Sequence, residues 1–146
     1  WTMSDEFLFG DDLLVAPIFD DGSSRRVYLP EGIWSDWWSG ERFVGHQWYE
    51  IEADVESIPI FVREGGLIPM GPAMNYVDEL PTDRIDLVVA LFEEPGESRF
   101  DIPVNDEVIR VAYRFDGETH VLQIPRSRVT FEVQTLGEGD VEVVSE

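Results

Sequence analysis

Apolar and polar side chains alternate with a period of two through most of this chain after residue 24, and that pattern limits what it can fold into. From Arg128 to Gln134, Val129, Phe131 and Val133 alternate with Thr130, Glu132 and Gln134. Tyr49, Ile51 and Ala53 likewise oppose Trp48, Glu50 and Glu52, and Ile58, Ile60 and Val62 oppose Phe61 and Arg63. Successive side chains of a strand point to opposite faces, so such runs read as half-buried antiparallel strands, whereas a helix would repeat every three to four residues. No long amphipathic helix is evident. The fold class expected is all-β: an antiparallel β-sandwich with a second, smaller β-unit.

Turn chemistry separates the runs at Asp20-Asp21-Gly22, Pro30-Glu31-Gly32, Ser39-Gly40, Asp116-Gly117 and Gly137-Glu138-Gly139-Asp140, the spacing expected of a sandwich. Asp116-Gly117 stands between Ile109-Val111-Tyr113-Phe115 and Val121-Leu122-Ile124 and predicts a hairpin with the positive φ of a tight turn. Near the start, Ser4 before Asp5-Glu6-Phe7-Leu8-Phe9 predicts one short helical turn ending near Gly10, with Ser4 as cap. Pro72, Asn75 and Pro81, together with Asp78-Glu79, interrupt the pattern before Ile85 opens a more continuously apolar run. The organisation expected is therefore a junction segment at 1–10, a first β-domain at 11–72, a linker at 73–83 and a second β-domain at 84–146. The last is short for an independent sandwich, so it is either truncated or packed on the first.

Composition sets the outer bounds. Hydrophobic residues make up 43% of the 146, enough for a core, and the longest apolar run, Leu87 to Phe92, is far below the roughly 18 to 20 residues that cross a bilayer. The absence of cysteine removes disulfides, thiolate nucleophiles and zinc-thiolate sites. A formal net charge of -21 opposes phosphate backbones and anionic lipid, so neither nucleic acid nor membrane is an expected partner. All ten basic residues are arginine. Acidic excess without lysine resembles the composition of proteins from salt-in halophiles, where cations screen the self-repulsion of a compact acidic fold. The chain begins with Trp1, and the expectation is a piece of a longer, soluble protein whose address, with cytoplasm the default, is not legible here.

Chemistry-bearing residues are sparse in useful combinations. Asp11-Asp12, Asp20-Asp21 and Glu93-Glu94 are adjacent acids, but neighbours on a strand diverge, and an acidic surface produces such pairs by chance. His46 and His120 are the only histidines and have neither the short spacing of a metal pair nor an evident serine triad. Ser23-Ser24 and Gly65-Gly66 lack the pattern of a nucleophile elbow or a phosphate loop. No catalytic, cofactor-binding or metal-ligating residue is expected.

Three motifs in order carry more specific information. They are Asp5 to Ile18, with its core Phe9-Gly10-Asp11-Asp12-Leu13-Leu14-Val15-Ala16-Pro17; Arg26 to Trp34 continuing to Trp37-Trp38-Ser39-Gly40-Glu41; and Ile58 to Pro69, with Phe61-Val62-Arg63-Glu64-Gly65-Gly66 at its centre. Together they resemble the junction at which the catalytic barrel of a family 31 glycoside hydrolase passes into its C-terminal β-domains, in the α-glucosidase and α-xylosidase group. The match runs from about Asp5 to Pro72. The resemblance implies two successive sandwich domains, proximal and distal. It also implies a parent enzyme that is retaining, needs no metal, and cleaves terminal α-linked glucose or xylose with two aspartates of a barrel preceding this segment. The expected partner is thus that barrel, in the same chain, with a homo-oligomer of the parent as a further candidate.

Two sets of aromatics are candidate contact residues. Trp34, Trp37, Trp38 and Trp48 could form a carbohydrate platform, since apolar sugar faces stack on indoles, or could pack locally and toward the barrel. Trp1, Phe7 and Phe9 are the candidate barrel interface, because one sandwich cannot easily bury them beside Leu13, Leu14 and Val15. A carbohydrate-binding module and an oligomerisation domain are the alternative functions.

Overall fold

The computed structural model describes residues 6–18, 23–53, 56–73 and 82–146. They form two compact units, Trp1–Glu64 and Gly65–Glu146, and every regular element among them is a strand. The all-β expectation holds.

In the first unit a five-stranded sheet has the order β1 (Phe7–Phe9), β2 (Leu13–Val15), β7 (Ile60–Arg63), β4 (Ile33–Asp36), β5 (Arg42–Val44), all antiparallel. A second pair, β3 (Ser24–Leu29) with β6 (Gln47–Glu52), is also antiparallel. Leu14, Ala16, Val27, Leu29, Trp34 and Phe61 form the core, with Phe43, Tyr49 and Ile51 packed against it. The alternation in β6 does what the sequence indicates: Tyr49 and Ile51 turn inward while Trp48, Glu50 and Glu52 are exposed. In β7 the alternation is overridden, since Phe61 and Val62 are both buried and the strand lies centrally between β2 and β4.

The helical turn expected before Gly10 is not found. Ser4 and Asp5 lie outside the described residues, and Phe7–Phe9 is β1, pairing Phe7 with Val15 and Phe9 with Leu13. Local capping chemistry lost to a hairpin partner, whose ladder satisfies the backbone that a single helical turn would leave unpaired.

The second unit holds β8 (Leu67–Met70), β9 (Arg84–Ala90) and β13 (Thr130–Leu136) in one sheet, ordered β13-β9-β8. The other sheet is ordered β10 (Gly96–Val104), β11 (Glu107–Phe115), β12 (His120–Ile124), β14 (Val141–Ser145). Leu67, Leu87, Val89, Leu91, Val111, Tyr113 and Leu122 lie in the core between them. β8 precedes the expected linker yet hydrogen-bonds to β9, pairing Leu67 with Val89. The linker itself falls largely outside the described residues.

Two pairings depart from the antiparallel expectation: β13 runs parallel to β9 and β14 parallel to β12. The Asp116 hairpin forms between β11 and β12, but through four residues, with Phe115 opposite His120. Only Gly117 takes positive φ there, and the Asp116 carboxylate accepts the N–H groups of Glu118 and Thr119. The two-residue turn is instead Asn105-Asp106 between β10 and β11, with Asn105 at φ 52°.

Candidate contact surfaces

The described residues contain no group of three or more His, Asp or Glu side chains placed to hold a metal. Asp11 is exposed and Asp12 half-buried at the β1–β2 turn, while Glu93 and Glu94 are exposed. Burial pushes the Asp12 carboxyl upward, partly opposed by the Arg63 guanidinium and reinforced by Asp11. Asp20-Asp21 lies outside the described residues. Both histidines have structural work. His46 sits at φ 62° in the turn after Gly45 and donates its N–H to the Leu29 carbonyl. His120 Nδ1 lies 2.8 Å from the Tyr113 hydroxyl, which accepts the Phe92 N–H, and its ring stacks on Phe115 at 4.0 Å.

The four tryptophans do not form one surface. Trp34 in β4 is fully buried; its Nε1–H donates to the Pro30 carbonyl at 2.8 Å, and the Arg63 guanidinium lies 4.8 Å from its ring. Trp37 is half-buried, its N–H donated to the Ile60 carbonyl. Trp48 is exposed at its edge, but Arg26 sits 5.1 Å over the ring and Tyr28 packs at 5.3 Å. Trp38 is the most exposed of the four, at 58%. Its position is set by the Asp36 carboxylate, which accepts the N–H groups of Trp38 and Ser39 and the Ser39 hydroxyl. Gly40, at φ 73°, closes the loop onto the Asp36 carbonyl. The indole N–H donates to the Ile58 carbonyl at 2.8 Å, so the ring is anchored as well as its backbone.

Trp38 borders an open groove of about 420 Å³ between the β4–β5 loop and β6, with Glu41, Glu50, Ile51, Glu52 and Pro59 on its walls. No motif signals the groove, because its acids come from two separate segments, the β4–β5 loop and β6. The exposed glutamates of β6 were visible only as one face of an alternating run.

The second candidate surface is β1. Phe7, Leu8 and Phe9 are exposed at 52%, 48% and 72%, on a strand that forms one edge of the five-stranded sheet. Trp1, the third member of that expected interface, lies outside the described residues. Three consecutive exposed large apolar side chains on the edge strand of a described sheet are what folds ordinarily avoid.

Residues 1–68 match the family described as glycosyl hydrolase family 31 C-terminal domain. The chain is 44% identical over 85 residues to alpha-glucosidase 2 of Bacillus thermoamyloliquefaciens, covering 58% of this chain and 11% of that protein. It is 28% identical over 127 residues to an alpha-xylosidase of Saccharolobus solfataricus, covering 85% of this chain and 17% of that protein. The crystal structure of an alpha-xylosidase from Xanthomonas citri aligns with a TM-score of 0.71 at 28% identity, over 91% of this chain and 16% of that one. The chain therefore spans well under a fifth of the length of each of these relatives.

Proposed function

From the match of residues 1–68 to the glycosyl hydrolase family 31 C-terminal domain, we propose that the chain is the non-catalytic C-terminal β-region of an α-glycosidase. The parent cleaves terminal α-linked glucose or xylose, retaining configuration and using no metal, with its two catalytic carboxylates on a barrel in the same polypeptide. The role of this region is to cover one face of that barrel and hold its loops in register, which keeps the site dry and its geometry fixed.

The observation that carries the docking role is β1. Phe7, Leu8 and Phe9 present apolar area on the edge strand of a described sheet at the position where the family-like motif begins, and each such side chain contributes about 1.5 to 3 kcal/mol when a partner covers it.

The test has two arms. The isolated chain, incubated with nitrophenyl α-glucoside and α-xyloside, is expected to release no nitrophenol; turnover abolished by mutating one of its own acids would overturn the non-catalytic reading. In the intact parent, Phe7→Ser with Phe9→Ser is expected to lower the temperature of inactivation while the melting of the isolated chain barely moves. Equal losses in both would assign β1 to the stability of the first unit instead of to the barrel contact.

A further inference from the structure

We propose that the groove beside Trp38 binds a neutral oligosaccharide, with the Trp38 indole as stacking platform and the Glu41 and Glu52 carboxylates as hydroxyl acceptors. The inference rests on the chemistry of the groove and not on the catalytic reading, and its test involves no turnover.

Three observations carry it. Trp38 is exposed at 58% and, among the described residues, no other ring or guanidinium stacks on it, whereas Trp34 is buried and Trp48 is covered by Arg26 and Tyr28. An exposed indole free to rotate would lose side-chain entropy on binding, but this one is already fixed by its Nε1–H bond to Ile58 and by the Asp36-centred loop. The acids around it are unequal. The Asp36 carboxylate is occupied by the loop and Glu50 accepts the Ser24 hydroxyl at 3.3 Å, while the Glu41 and Glu52 side chains have no partner among the described residues.

A pyranose matches this arrangement because it is amphiphilic. Its axial C–H face removes apolar area from water against the indole, and its equatorial hydroxyls donate to carboxylates at the rim. A cationic peptide would also be attracted, but negative charge is spread over this whole chain, at -21, and does not single out the groove. The flat, immobilised ring does.

The experiment follows the indole N–H signals of the 146-residue chain by NMR during titration with maltotriose, isomaltotriose and xylotriose, each to about 10 mM, the range of a weak single-platform site. The expected result is a saturable shift of the Trp38 signal with at least one trisaccharide, unaffected by salt, and no shift of Trp34. Trp38→Ala should weaken binding roughly tenfold or more, Trp48→Ala should leave it within about twofold, and Glu52→Ala should weaken it where Glu52→Gln, which keeps an acceptor, does not. Trp38→Phe keeps a smaller stacking face but loses the Nε1–H bond to Ile58, so it should bind more weakly than wild type and more tightly than Trp38→Ala; melting curves establish that each variant is folded, and if Trp38→Ala is not, wild-type affinity in Trp38→Phe overturns the role given to the fixed indole. The proposal is overturned if none of the three sugars shifts Trp38, if Trp38→Ala binds as wild type, or if the groove responds only to a triarginine peptide in a salt-sensitive way.

Discussion

Gly65 and Gly71 stand six residues apart, and the structure gives them opposite tolerances. A Cβ on Gly65 would lie 2.2 Å from Phe92 Cζ, at a backbone φ of +78°, whereas a Cβ on Gly71 would meet nothing within 4 Å. Gly65→Ala is expected to cost about 2 kcal/mol or more in urea unfolding, since it combines a steric conflict with left-handed strain, while Gly71→Ala stays within about 0.5 kcal/mol. Asp12 makes a pH prediction. Its carboxyl is raised above the ordinary value, chiefly by burial, so the folded state favours its protonated form. Its stabilising contribution is complete below the unfolded pKa of about 3.9 and is lost as pH rises through the folded value. Asp12→Asn should therefore melt higher than wild type at pH 7, and the two melting curves should converge in acid. A constant difference across pH would assign the effect to something other than ionisation. At this scale the sequence was informative about type and not about state: Trp34 and Trp38 are four residues apart on one motif, yet one is core and the other surface. Their neighbours Arg63 and Ile58, which decide that, come from elsewhere in the chain.

Among the elements, the period-two runs were the most legible. β6 and β13 turn the residues that alternation assigns inward against the cores, half-buried, and leave the others exposed, because a strand with one wet face has a single register that keeps its apolar set dry. Partners were not legible. Alternation says which face is buried and nothing about the direction of the neighbour, so the parallel pairs β9–β13 and β12–β14 went unforeseen. The Asn105-Asp106 turn was missed for a different reason, since its signal is weaker than the Asp-Gly pair at 116, and Asn105 rather than glycine supplies the positive φ. β1 yields the prediction at this level. Replacing Phe7 and Phe9 with serine should reduce concentration-dependent association of the isolated chain in sedimentation velocity, with its urea midpoint nearly unchanged. A large drop in the midpoint would mean that these rings are part of the unit's own core.

The whole molecule carries a formal net charge of -21 with arginine as its only strong base. Where arginine is paired on the surface the geometry is good: Arg110 meets both oxygens of Asp101 at 2.6 and 2.7 Å, and Arg84 reaches Asp86 and Glu132 at 3.0 and 2.6 Å. Ten arginines cannot neutralise 31 acids. We propose that the fold is adapted to concentrated salt, and its melting temperature should climb steeply from dilute buffer to molar KCl, where the screening length falls to about 3 Å. Salt also strengthens apolar burial, so the comparison is with a variant in which exposed acids are made neutral. That variant should depend less on salt, and an equal dependence would remove charge repulsion as the cause.

The two parallel pairings also impose an order on biosynthesis. Thr130 joins Arg84 and Val141 joins His120, so each sheet of the second unit receives a strand from the last seventeen residues, 130–146. On the ribosome the first unit has all its described strands once Arg63 has emerged, whereas β9 and β12 each lack one of their described neighbours until β13 and β14 arrive. The interval between those events is when a nascent chain of this kind is most exposed to wrong pairing with its neighbours on a polysome.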